Sequence, residues 1–179
     1  MQKPTAVFIG TRAEALQALK VVTDVTKIIC IENSRAHLLC IENKWPVTVI
    51  TPKDRKVALE EISKISTHIL LSAGFPWIID EDTLNSTQAI KLNSHPSLLP
   101  KFPGKNAIKD AFGQNSSRTG VTVHHITNDV DGGPIIASEE VNIENLSLDE
   151  IYQILFGIIE PRVIDKSLKL VIPHLKGVN

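Results

Sequence analysis

The sequence has little of what marks a secreted, metal-bound, membrane-spanning or nucleic-acid-binding protein. Two cysteines, Cys30 and Cys40, occur in 179 residues. Both sit in apolar stretches with no zinc-ligand spacing around them, which reads as buried free thiols rather than a bridge. No apolar run is long enough to span a bilayer, and no segment has the layout of a signal peptide. Charge of one sign is missing too: 19 Lys and Arg against 20 Asp and Glu leave a formal net charge of −1. That balance removes the simplest electrostatic case for nucleic acid or an anionic membrane as partner. There is no internal repeat, no low-complexity tract and no linker. His124 and His125 are adjacent on a strand and point to opposite faces, while His37, His68 and His174 complete no ligand pattern, so no metal is assigned.

What remains is an ordinary globular composition, 42% hydrophobic, at a length that suits one domain over residues 1–179. Such a chain can bury a core without disulfides, and a reducing cytoplasm is the default compartment. Apolar runs at "AVFIG", "KIICIE", "PVTVI", "HILLSAG" and "AIKLN" read as five strands. Helical spacing separates the first four, in "AEALQALKVV", "RAHLLCIENK" and "KVALEEISKI". Thr51 as cap and Pro52 at the first helical position set the start of the third helix. "NAIKDAF" reads as a short helix, and "GVTVHHI" and "PIIASEEV" as further strands. Ser147 and Glu150 form a capping box for a last helix of about 20 residues, which Pro161 should kink or break. This alternation predicts an α/β fold with a mostly parallel, twisted sheet flanked by helices. Ligands of such sheets bind at the carboxyl ends of the strands.

Two polar clusters fall where that crevice should be. In "LNSHPSLLPKFPG" Asn93 closes the fifth strand and His95 follows two residues on, the same face of an extended chain. An amide and an imidazole together suit a carbonyl whose oxygen becomes negative, and the imidazole can also move a proton. The same residues can equally cap a turn and satisfy a loop. In "NDVDGGPI", Asp129 and Asp131 precede a glycine pair; a hairpin with an Asp-Gly turn and an aspartate orienting a histidine are both open. "FIGTRAEAL" has strand–turn–helix placement suited to an anion, but no G-x-G-x-x-G and no P-loop.

Together, "NSHPSLLPKFPGKNAIKDAF" and "TGVTVHHITNDVDGGPIIASEEV" resemble the formyltransferase family that uses 10-formyltetrahydrofolate, strongly from about Ile69 to Val141. The phosphoribosylglycinamide formyltransferases are most similar, with methionyl-tRNA and amino-sugar formyltransferases as cousins. The resemblance implies a Rossmann-like formyltransferase fold. It implies Asn93, His95 and Asp131 as catalytic residues, with His124 close to them. It implies folate contacts from Phe75, Pro76, Trp77, Ile78 and Ile79, and from Thr127, Asn128 and Asp129 opposite. Gly10, Thr11, Arg12, Ser94 and Pro96 are then the acceptor side. The co-substrate is 10-formyltetrahydrofolate, no metal takes part, and the partner is a small, anionic amine such as glycinamide ribonucleotide or a nucleotide-linked amino sugar, with a homodimer left open. A formyltetrahydrofolate hydrolase and a catalytically silent folate-binding domain are the alternatives. The family loop also turns sharply at Leu99–Pro100, so a cis bond is expected there.

The chain departs from the glycinamide enzymes in two places. "GTRAE" replaces their Gly/Ser/Asn phosphate loop, and Gln153 and Phe156 stand where their final helix carries polar substrate contacts. Arg12 is read as a partner for substrate phosphate or as a solvated residue at a helix start. Phosphoribosylglycinamide is accordingly expected to be a poor substrate. The chain is also expected to be too short to carry the extra C-terminal domain of the tRNA enzymes.

Overall fold

Alternating apolar residues decide which side of the sheet each strand serves. In β1 (Thr5–Gly10) Ala6 and Phe8 enter one core, and Val7 and Ile9 enter the other. All four are at most 2% exposed. Burial on both faces is what parallel strands require, and it explains their continuous apolar runs. The computed structural model describes residues 2–175. It contains a seven-stranded sheet in the order β3-β2-β1-β4-β5-β6-β7. Strands β2 (Asp24–Ile31), β3 (Thr48–Ile50), β4 (Ile69–Ala73) and β5 (Ile90–His95) run parallel to β1; β6 (Arg118–His125) and β7 (Ile135–Asn142) complete the sheet antiparallel.

Helices α1 (Ala13–Val22), α2 (Arg35–Glu42), α5 (Ala107–Gly113), α6 (Leu148–Ile154) and α7 (Glu160–Val171) cover the first core. Helices α3 (Arg55–Ser63) and α4 (Glu81–Asn85) cover the second. Cys30 and Cys40 are buried free thiols in the first core, and burial pushes both thiol pKa values up. Among the described residues no helix is long and apolar enough to cross a membrane.

Several expectations are corrected. Strand β5 does not stop at Asn93 but continues through Ser94 to His95, because β6 pairs with it along that whole stretch. Thr51 does not cap the third helix. Its amide and hydroxyl donate to Asp54 Oδ2 at 3.2 and 2.6 Å, closing a turn that delays the helix to Arg55. The Ser147–Glu150 capping box forms in both directions. Pro161 does not break the last helix. A π-helical turn at Leu155–Ile159 joins α6 to α7, so the helix widens by a residue in the turn where proline has no amide to give. Residues 126–134 form a long loop between β6 and β7 rather than a two-residue Asp-Gly hairpin.

Candidate active site

The sheet order reverses direction between β1 and β4, and their carboxyl ends, with that of β5, open onto one cleft of about 630 Å³. This is the switch-point position at which open α/β sheets bind ligands. The segment after β4 supplies one wall, Phe75 to Ile79, in which the Phe75 and Trp77 rings meet edge to face with centroids 5.3 Å apart. Ile126, Thr127, Asp129 and Val130 face it from the loop after β6. Ile78 and Val130 are 59% and 55% exposed, so apolar surface stands open to solvent at the cleft mouth.

Asn93, His95, His124 and Asp131 converge in the cleft. Period-2 alternation puts Asn93 and His95 on the same side of β5, and the antiparallel register sets His124 opposite Asn93. His124 Nδ1 donates to the His125 carbonyl at 2.9 Å, leaving Nε2 to accept from Asn93 Nδ2 at 3.2 Å. Asp131 is the hub. Its Oδ1 lies 3.4 Å from Asn93 Nδ2 and 3.5 Å from His124 Nε2; its Oδ2 lies 3.3 Å from His95 Nδ1. Asp131 holds a left-handed backbone, φ 52°, which costs a non-glycine residue energy. The Gly104 amide offsets this by donating to Oδ2 at 2.7 Å. Gly104 is brought there by the proline-rich loop, in which Leu99–Pro100 is cis.

Electrostatics pull on this cluster from two directions. His95 Nε2 donates to the Phe102 carbonyl at 2.8 Å while Nδ1 faces Asp131, so both nitrogens are satisfied only when the ring is an imidazolium. Burial works against that charge and brings the His95 pKa below its ordinary value. The Phe102 bond and Asp131 resist the fall, while His124 and Arg12 add to it. Burial also works against the Asp131 carboxylate. Contact with His124, the Gly104 amide and the charge of His95 outweigh it, and the carboxyl is held below the usual range.

The other end of the cleft differs from expectation. Arg12 is neither solvated nor a free cation: it is 8% exposed. Its Nη2 donates to the Ser94 carbonyl at 2.5 Å, and its Nε lies 3.2 Å from Glu160 Oε1. Its guanidinium sits 4.8 Å from the centroid of the Phe156 ring. Glu160, which the sequence reading missed, is fully buried, and its Oε1 accepts from Ser94 Oγ at 2.6 Å. Its signal was an acid four residues after Phe156 on the apolar side of the last helix. Tyr152 was missed as well. It lines the cleft beside Phe156, the two rings 5.7 Å apart, whereas Gln153 is exposed and lies outside the lining.

Thr11, Ser94 and Pro96 border the cleft, Ser94 with its hydroxyl turned to Glu160 on α7; Gly10 and Asn128 do not border it. Gly10 is instead a packing requirement, since at its φ of 143° a Cβ would fall 2.1 Å from the Ala73 carbonyl oxygen of the neighbouring strand. Asn128 is exposed.

The cleft lies at the sheet's switch point, with an amide, two histidines and an aspartate at its centre. The formyl transferase family model matches residues 12–155, and the chain belongs to that family. It is 33% identical over 123 residues to the methionyl-tRNA formyltransferase of Thermotoga neapolitana, a match covering 69% of this chain and 37% of that protein. It is also 33% identical over 188 aligned positions to the trifunctional purine biosynthetic protein adenosine-3 of Chironomus tentans, covering 95% of this chain and 14% of that protein. The chain thus spans well under half the length of these relatives. Glycinamide ribonucleotide transformylase 1 from Geobacillus kaustophilus superposes with a TM-score of 0.78 at 26% identity, covering 96% of this chain and 99% of that one. A formyltetrahydrofolate deformylase from Pseudomonas syringae pv. tomato shares the fold, with a TM-score of 0.81 at 20% identity over 97% of this chain and 62% of that one.

Proposed function

We propose that the protein transfers a formyl group from 10-formyltetrahydrofolate to the primary amine of a small acceptor. The observation that carries this reading is the convergence of Asn93, His95 and Asp131 on one cleft that has an apolar wall open beside them. The Phe75–Ile79 wall and the facing Thr127, Asp129 and Val130 form a slot suited to a flat heteroaromatic ring, and they would hold the pterin. The co-substrate supplies an electrophilic formyl carbon and a nitrogen that departs with a proton.

The chain's own groups do the rest. Asn93 Nδ2 carries two hydrogens and can turn one to the carbonyl oxygen as that oxygen becomes negative. Asp131 Oδ2 takes the proton the attacking amine must lose and returns it to His95 Nδ1 once that nitrogen has given its own proton away. The His95 proton is opposed by burial, so it is readily passed on to the departing nitrogen. His124 Nε2 accepts from Asn93 Nδ2 and so fixes the amide beside Asp131.

Among the described residues Arg12 and Lys105 are the arginine and lysine that line the cleft, and Glu160 already answers Arg12. An anionic group on the acceptor, as in a glycinamide ribonucleotide or a nucleotide-linked amino sugar, is therefore met by Lys105. Tyr152 and Phe156 receive the body of the acceptor.

The test is a panel of amines incubated with 10-formyltetrahydrofolate while tetrahydrofolate release is followed. Release that needs an amine is the expected result; equal release without any amine would make the enzyme a hydrolase. Phosphoribosylglycinamide is expected to turn over below about 10⁴ M⁻¹s⁻¹ in kcat/KM, because Phe156 offers it no hydrogen bond.

A further inference from the structure

Strand β5 ends on three consecutive residues with different tasks. Asn93 and His95 face the cleft; Ser94, between them, faces α7. Ser94 is 1% exposed and is gripped at two atoms. The Arg12 guanidinium donates to its carbonyl at 2.5 Å, and its hydroxyl donates to Glu160 at 2.6 Å. Arg12 follows β1, and Glu160 opens α7 immediately after the π turn. Three elements separated by 82 and 66 residues in sequence are thus tied at the peptide that carries both catalytic side chains.

We propose that Arg12 and Glu160 are positioning residues, a buried ion pair that clamps Ser94 and thereby sets the placement and charge environment of Asn93 and His95. This rests on the formyl-transfer reading for its catalytic consequence, but the clamp itself does not. A carboxylate without an exposed atom is costly unless something requires it there. Among the described residues neither Glu160 Oε2 nor Arg12 Nε makes a hydrogen bond, although Nε lies 3.2 Å from Oε1, so the pair is not optimised for stability alone. Its satisfied oxygen is the one that holds Ser94. The aromatic face of Phe156, which lines the cleft, packs against the guanidinium and closes the clamp from the acceptor side.

The groups facing His95 are Asp131 and His124 from the β6 side, the Phe102 carbonyl from the proline-rich loop, and Arg12 from the end of β1. Removing Arg12 takes away a cation that lowers the His95 pKa, whereas removing Glu160 leaves that cation unanswered, so the two changes should move the His95 titration in opposite directions. A merely structural role would loosen the site the same way in both variants.

Histidine NMR of the full chain, with no substrate added, reads this directly. In Arg12→Met the His95 midpoint should rise, and in Glu160→Gln it should fall, with His37 and His68 unmoved. If Arg12→Met does not fold, Arg12→Met within Glu160→Gln takes its place, and the midpoint should rise relative to Glu160→Gln alone. In the amine panel the same variants should lose about 10- to 100-fold in kcat with KM for 10-formyltetrahydrofolate within about twofold, and Arg12→Lys should restore part of the loss. Identical His95 midpoints, or shifts of the same sign, would overturn the clamp whatever the activity shows. Opposite shifts in an enzyme that formylates no amine would leave the clamp standing and sink the formyl-transfer reading instead.

Discussion

Two acid–base pairs flank the end of β5. His95–Asp131 lies on the cleft side at 3.3 Å, and Arg12–Glu160 lies on the side of α7 at 3.2 Å. Their separations are nearly the same, yet their surroundings give them different work. Asp131 has partners from four groups and a histidine whose proton is opposed by burial, so this pair can change its protonation during a reaction. Glu160 is sealed from solvent and its tie to Arg12 and Ser94 lies away from the cleft centre, so that pair holds the strand end rather than exchanging protons with a substrate. One strand end serves both because its side chains alternate between faces.

The largest effect that could break this contrast is on turnover. His95→Ala and Asp131→Asn should each lower kcat by about 10²- to 10⁴-fold, the scale of lost proton transfer and oxyanion support. KM for 10-formyltetrahydrofolate should stay within about twofold, since the slot proposed for it lies on other residues. Near-native turnover in either variant, with the acceptor found in the panel, would remove that residue from the mechanism.

Next comes stability. Arg12→Met leaves a fully buried carboxylate without its cation and should cost about 3–5 kcal/mol in denaturant unfolding. Arg12→Met combined with Glu160→Leu should recover most of that loss, because a buried pair can be replaced by apolar groups at little cost. The same double variant should still be a poor catalyst, having lost both grips on Ser94. Recovery of activity along with stability would reduce the sealed pair to packing.

The two pairs also differ in how far the sequence disclosed them. Asn93 and His95 are two residues apart and Asp131 sits in a compact polar turn, but spacing alone left them open as turn residues; the two family-like motifs taken together are what joined them into one candidate cluster. The apolar strands were equally plain, since burial on both faces leaves uninterrupted runs. The extent of β5 was not legible, because only pairing with β6 makes Ser94 and His95 part of the strand. The Arg12–Glu160–Ser94 clamp joins positions that no window contains, and Arg12 alone looks like any charged residue at a helix start. The π turn hid in the same way: Pro161 announced an interruption, but the form it takes depends on α7 packing against α1 and the sheet.

A smaller effect sharpens the acceptor end. Lys105→Met should raise KM for an anionic acceptor roughly tenfold, about 1.4 kcal/mol, without moving KM for the folate. Arg12→Lys should leave acceptor KM nearly unchanged, because Glu160 already neutralises that side chain. Acceptor kinetics at two salt concentrations would check this, since the Lys105 contribution on the open rim should weaken as salt rises.

The smallest effect lies in the pH dependence of stability, where the two pairs should carry opposite signs. The folded-state pKa of His95 is depressed, so its contribution is present above the ordinary value of 6.5 and is lost as pH falls through the folded value. Asp131, also depressed, adds a second loss at lower pH by the same rule. The folded-state pKa of Glu160 is raised by burial, against the pull of Arg12 and Ser94. Its contribution is fullest below the ordinary value of 4.5 and is lost as pH rises through the folded value. Melting temperatures measured across pH for wild type, His95→Gln and Glu160→Gln separate the two. The wild-type advantage over His95→Gln should shrink on acidification, and the wild-type advantage over Glu160→Gln should grow. Parallel curves would mean that the cleft pair and the sealed pair titrate alike, and that the division of labour between the two faces of β5 is not electrostatic.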